Sequence, residues 1–255
     1  SHSSAASDVY KRQVMVHAAA TWNPFSATQQ SALAYIISGL GGLAAPLFVT
    51  LFGWGLAKST LTYKKILFRG FFLLTAQFLV NMSAPHLFDP FTPGVLSLMA
   101  MLVFTQPLWQ KPILSSSNPV RLVSSLFLII IAIQLFLPSI QGGRGWNTRI
   151  EVRTVWILLS HIFVSGTYPI FPWLVFALFG TLLALYKTDQ TIPNYGKALL
   201  GLSFSYCFAT LIAAYHNGDQ WAHPTEEAYL TFFPANPSFL VAGLLGVSIL
   251  WIAVK

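Results

Sequence analysis

The chain has 255 residues, 55% of them hydrophobic and 8% charged, with a mean hydropathy of +0.64; an ordinary soluble domain is about 25% charged, so this one lacks the polar surface for a water-exposed fold. It also carries far too much apolar material for a disordered coil, and its single cysteine, Cys207, excludes an internal disulfide or a cysteine zinc site. The formal net charge of +7 lies between apolar segments and not along one amphipathic face, which argues against nucleic acid as a partner.

These properties predict an all-α, polytopic integral membrane helix bundle. In chain order, residues 1–13 are a small polar leader without an apolar core, neither signal peptide nor anchor, and are set aside as non-native or disordered. Apolar sequence begins abruptly at Val14. Residues 14–22 read as the stub of a first helix, so the chain is expected to be truncated at its N-terminus, and the run of 238–254 straight into Lys255 makes the C-terminus a second candidate end. A crossing needs about 20 mainly apolar residues, which predicts spans over 31–57, 66–84, 92–109, 119–138, 171–186, 197–215 and 238–254. With the stub, that is about eight transmembrane helices in one domain over 14–255. Trp173 and Tyr186 are expected as interfacial anchors of the short 171–186 span. The stretch 152–164, apolar but only about 13 residues long and containing Ser160 and His161, predicts a short outer interfacial or re-entrant helix.

Charge placement tests this parse. If 152–164 does not cross, one side of the membrane holds Lys58, Lys64, Lys65, Arg69, Lys111, Arg121, Lys187, Lys197 and Lys255, while the other holds Arg144, Arg149 and Arg153. The positive-inside rule then places the loop 58–69 in the cytoplasm of a multi-pass cell-membrane protein. His17, His86, His161, His216 and His223 fall toward the outer face, with Asp89, Glu151, Asp219, Glu226 and Glu227.

His17 lies in an apolar helix, where an ionisable residue is a functional candidate and a near-neutral pKa suits a general base; the alternative is an interfacial histidine bonded to water or a neighbouring helix. Asp89, in His86-Leu-Phe-Asp-Pro-Phe-Thr-Pro-Gly94, either orients a histidine or performs helix-entry capping. Gln77 and Asn81, four apart, either line a polar passage or bond helices together. Lys58, Lys64, Lys65 and Arg69 satisfy the topology rule and would also clamp the phosphates of a cytoplasmic nucleotide-like cofactor. Gly39-Leu-Gly-Gly-Leu-Ala-Ala-Pro46 reads as close helix packing. There is no P-loop or dinucleotide fingerprint, and the spacing of His216 and His223 with their acidic neighbours matches no metal motif, so no metal is expected.

Four stretches together resemble the heparan-α-glucosaminide N-acetyltransferase-like transmembrane acyltransferases. They are Val14-Met-Val-His17; Ala45-Pro-Leu-Phe-Val-Thr-Leu-Phe-Gly-Trp-Gly-Leu56 followed by Phe68-Arg-Gly70; Pro93-Gly-Val-Leu-Ser-Leu-Met-Ala100; and, most specifically, Gly166-Thr-Tyr-Pro-Ile-Phe-Pro-Trp-Leu-Val-Phe-Ala-Leu-Phe-Gly180. The chain departs from the family in lacking the arginine-containing start of the first helix and in carrying Ser97 where relatives often have His or Gln.

The resemblance implies transfer of an acetyl group from cytoplasmic acetyl-CoA to an outward-facing sugar amine or hydroxyl. His17 would be the base or transient acyl carrier, with Asp89 as its orienter. Lys58, Lys64, Lys65 and Arg69 would bind the CoA phosphates, and His86, His161 and Trp173 would meet the glycan or other small acceptor. The lipid bilayer is the other expected partner, and a homo-oligomer is compatible with this reading. The competing function is a secondary transporter or flippase component with a proton-binding histidine site, although the two matched halves common in transporters are not seen in the sequence.

Overall fold

The computed structural model describes residues 42–186, 193–219, 221–223 and 228–254. His17, the 14–22 stub, the leader and the first part of the 31–57 span lie outside the described residues, as do Lys187, Glu226, Glu227 and Lys255. The fold is mostly helical. In chain order the helices are α1 (Ala44–Ala57), α2 (Tyr63–Ser83), α3 (Val95–Phe104), α4 (Gln106–Ser115), α5 (Pro119–Phe136), α6 (Asn147–Ile150), α7 (Val155–Ser160), α8 (Ile170–Leu185), α9 (Asn194–Asn217) and α10 (Pro237–Val254). A 3-10 turn, Pro138–Gln141, follows α5, and a π-helical turn, His161–Ser165, continues α7. A parallel pair of two-residue strands, β1 (Ala222–His223) and β2 (Leu230–Thr231), is a small β element that the all-α expectation lacks.

Four helices, α2, α5, α9 and α10, are long and apolar enough to cross a membrane, or five spans if α7 with its π turn and α8 form one bent unit. That is fewer than about eight. Part of the difference lies in residues outside the described set. The rest is physical. The expected span 92–109 breaks at Thr105, which ends α3 and begins α4. Pro107 has no N–H to offer the Val103 carbonyl, and the Trp109 indole instead reaches back to the Leu102 carbonyl at 3.1 Å.

Helix α8 is the centre of the bundle. It is apolar on every side, as a helix enclosed by protein must be, and Trp173, Val175, Phe176, Ala177 and Leu178 are all buried. Trp173 is therefore a core residue and not the interfacial anchor expected: it is 0% exposed, ringed by Tyr168, Phe176, Phe232 and Phe239.

Small residues set the α1–α8 approach. A Cβ on Gly180 would collide with the Thr50 carbonyl, and one on Gly53 with the Ala177 carbonyl. The bare Gly53 leaves its own carbonyl open to Gln110, whose Nε2 donates to it at 3.2 Å and to Thr181 Oγ1 at 3.1 Å. Because the Gly180 neighbour is backbone, it cannot swing aside. Gly180→Ala is expected to cost about 1–3 kcal/mol through overpacking. Gly201→Ala, at a helical glycine with open space around it, should instead gain about 0.5–1 kcal/mol. Thermal unfolding of both variants in detergent checks the contrast, and equal shifts would remove the close-packing explanation.

Apolar clusters show which helix ends belong together. Leu56, Ile66, Val103 and Trp109 meet where α1 ends and α2 begins. Ile113, Val123, Leu178 and Leu182 meet where α5 begins and α8 nears its end. Lys58, Lys64, Lys65, Arg69, Lys111 and Arg121 thus flank one end of the bundle. The other ends of α2, α5 and α8 run into residues 84–94, 137–154 and 161–169, which are joined by the polar network described next.

Candidate functional site

The network begins on α2. Gln77 Nε2 donates to Asn81 Oδ1 at 2.9 Å, and Asn81 Nδ2 donates to the carbonyls of Pro90 at 3.0 Å and Thr92 at 2.8 Å. Gln77 Oε1 accepts from the Leu96 N–H at 3.1 Å. Of the two readings left open for this pair, the structure selects bonding between segments: the side chains hold the entry to α3.

Asp89 does not enter α3 as a cap, since Gly94 occupies that position. Its Oδ2 accepts from the Val152 N–H at 2.9 Å, while Thr92 Oγ1 donates to the Ile150 carbonyl. Asp89 therefore pins residues 150–152. On the residue between, the Glu151 carbonyl faces His161 Nε2 at 3.2 Å. Asp89 and His161 are brought to one three-residue segment, joined through backbone and not side chain to side chain.

Arg149 organises the opposite flank. It is 0% exposed, and its guanidinium spans four carbonyls: Nη1 donates to Ser165 at 2.9 Å and Gly166 at 3.1 Å, Nη2 to Gln141 at 3.0 Å and Gly143 at 2.7 Å. The planar fork of arginine suits this bidentate use on both sides. No carboxylate among the described residues partners it, and burial pushes its pKa down to about 10, which still leaves it charged at neutral pH. The loop can fold back onto the guanidinium because Gly142 turns at φ +71°, a left-handed conformation that favours glycine. Residues 152–164 are thus tied at both flanks to the same end of the bundle, by Asp89 and by Arg149.

The π turn aligns three polar side chains. Thr154 starts α7 by accepting from the Ile157 N–H. The widened turn bonds the Gly166 N–H to the His161 carbonyl, five residues back, at 3.2 Å. Residues five apart then meet, and Ser160 Oγ lies 2.8 Å from Ser165 Oγ, itself 2.9 Å from His161 Nδ1. The Glu151 carbonyl can only accept, so His161 Nε2 carries the ring proton and Nδ1 is the accepting nitrogen. Ser165 donates to it. An open cavity of about 300 Å³ is lined by Thr148, Glu151, Arg153, Ile157, Ser160 and His161. At its rim Arg153 pairs with Glu151 at 2.7 Å, both side chains well exposed, so the pair is worth little stability.

The other expected site residues lie elsewhere. His86 is exposed on the 84–94 loop, away from the cavity lining. Lys58, Lys64, Lys65 and Arg69 are exposed together around the α1–α2 connection, with no acidic partner among the described residues. A second cavity, about 370 Å³, lies along α4 with Gln106, Gln110, Lys111 and Ser115 in its wall. No three His, Cys, Asp or Glu side chains converge on a metal-sized site among the described residues. Sequence reasoning counted Arg149 only as a topology charge and Ser160 only as a polar residue in a short segment. Two hydroxyls beside one histidine were the available signal, but the π turn that aligns them leaves no mark in residue spacing.

No family model, curated protein or solved structure matches the chain.

Proposed function

We propose that the chain is a membrane-embedded acyltransferase, moving an acetyl or other acyl group from cytoplasmic acyl-CoA to an outward-facing sugar amine or hydroxyl. One observation carries this reading. The bundle carries the exposed Lys58, Lys64, Lys65 and Arg69, without an acidic partner among the described residues, at one end and, at the other, a histidine with an accepting nitrogen beside an open cavity. A polyanionic donor suits the first end, where charge-assisted phosphate bonds are available. An acceptor that must lose a proton suits the second.

In this reading the basic end faces the cytoplasm. The crossings number about eight when the 14–22 stub, the 31–57 span, the broken α3–α4 pair and the bent α7–α8 unit are counted with the four long helices. His161 is the acceptor-side base, its tautomer fixed by the Glu151 carbonyl. His17, which the family resemblance selects, is the competing base and lies outside the described residues. Trp173 supports the cavity end through the core and does not touch the acceptor.

The donor half is tested by titrating acetyl-CoA into the detergent-solubilised chain. Each charge-assisted phosphate contact is worth about 1.5–3 kcal/mol. Replacing Lys58, Lys64, Lys65 and Arg69 together by Gln should weaken binding at least tenfold. Equal affinities would leave topology as the only role of these charges.

A further inference from the structure

We propose that Ser160 is an activated nucleophile that carries the acyl group as an ester before the acceptor takes it. This rests on the acyltransferase reading for its donor, but the activation itself is argued from geometry alone. The chain of hydrogen bonds has a direction. The Glu151 carbonyl accepts from His161 Nε2–H at 3.2 Å, so Nδ1 accepts from Ser165 at 2.9 Å. The Ser165 hydroxyl, having spent its proton on the ring, accepts from Ser160 at 2.8 Å. Each hydroxyl therefore points its proton toward the histidine. The outermost oxygen, Ser160 Oγ, belongs to an exposed residue in the cavity wall. A nucleophile, a base within reach and a third group orienting the base are the parts that covalent acyl transfer needs; here a second serine is inserted as a proton relay.

The reaction balances over these groups. Ser160 Oγ attacks the thioester carbonyl, which the donor's long pantetheine arm presents at the cavity end while its phosphates stay at the basic end, forming a C–O bond as the C–S bond breaks. The Ser160 proton passes to Ser165 Oγ while the Ser165 proton passes to His161 Nδ1. The imidazolium returns a proton to Ser165 Oγ, and the Ser165 hydroxyl gives its own directly to the departing thiolate, because Ser160 Oγ is by then esterified; the thiolate leaves as free CoA thiol. In the second half the acceptor amine or hydroxyl attacks the ester, the relay takes its proton, and Ser160 recovers its hydroxyl. Arg149 is a positioning residue in this scheme. It holds the Ser165 and Gly166 carbonyls, and with them the turn that aligns the three side chains.

A fluorophosphonate probe, which phosphonylates activated serines with loss of fluoride, tests the activation without any acyl donor. On the full chain in detergent, peptide mass spectrometry should find the adduct on Ser160. Ser160→Ala should abolish it, and His161→Gln and Ser165→Ala should slow it at least tenfold. Ser83→Ala, at an exposed serine far from the relay in sequence, should not change it. Ser165→Thr, which keeps the hydroxyl, should restore most of the rate and separates relay loss from misfolding. Absence of a Ser160 adduct above the denatured control would overturn the proposal. So would acetyl transfer at full rate by Ser160→Ala, which would leave the acyltransferase reading standing. Labelling of Ser160 with no transfer from acetyl-CoA would support the nucleophile and overturn the donor assigned above.

Discussion

His161→Ala should lower acyl transfer by about 10²–10⁴, the usual contribution of a general base, while leaving acetyl-CoA affinity unchanged. The expectation follows from where His161 sits. Its ring is buried to 4% exposure, one nitrogen is held by the Glu151 carbonyl, and the other faces hydroxyls beside the cavity. A base must be held near its productive geometry by its surroundings, and His161 has such a shell, whereas His86 and His216 are exposed. Turnover and donor titration on the same preparation make the check. Loss of less than tenfold, with a large loss in His17→Ala, would move the chemistry to the first helix that the family resemblance selects.

Arg149→Ala should have the largest effect on stability. Removal of the guanidinium strips the donor from four carbonyl oxygens, on Gln141, Gly143, Ser165 and Gly166. A buried acceptor left unsatisfied costs about 1–3 kcal/mol. Relief from burying an unpaired cation offsets part of this, as does any water that enters the space, so a net loss of about 3 kcal/mol or more is expected. The damage should be local first, because the four carbonyls belong to two segments, 138–143 and 161–166, that the guanidinium bridges. Hydrogen exchange by mass spectrometry should show residues 138–166 losing protection before α8 does. Arg149→Lys, a point charge without the fork, should recover only part of it. A variant as stable as the parent, with unchanged exchange over 138–166, would show that the loop and the π turn are held by other contacts.

The class of the fold was legible because it depends on composition and on length of apolar runs. Helices α2, α5, α9 and α10 appear close to their expected bounds for that reason. The shortness of the helical run within 152–164 was legible too: α7 with its π turn falls well short of the about 20 residues a crossing needs. Three features were not. The break at Thr105 is written in Pro107, but a hydropathy window averages one proline away. The burial of Trp173 depends on α8 being surrounded by other helices, and a tryptophan near the end of an apolar run reads equally well as an interfacial anchor. The contact set of Arg149 is tertiary: its partners are backbone carbonyls, which every residue has, so no residue type marks them in advance. At the site, His161 was selected by its side of the membrane, and Asp89 by its neighbourhood. What joins them is a backbone segment, 150–152, that no side-chain motif announces.

Transfer across a sealed bilayer tests the central claim most directly. With the chain reconstituted in one orientation, radiolabelled acetyl-CoA is supplied at the end carrying Lys64 and Lys65, and a hexosamine is confined to the side bearing His161. Acetylated hexosamine should form in that arrangement, should fail to form when donor and acceptor are exchanged, and should fall by about 10² or more in His161→Ala. No product in either arrangement, or the same yield from His161→Ala, would contradict it.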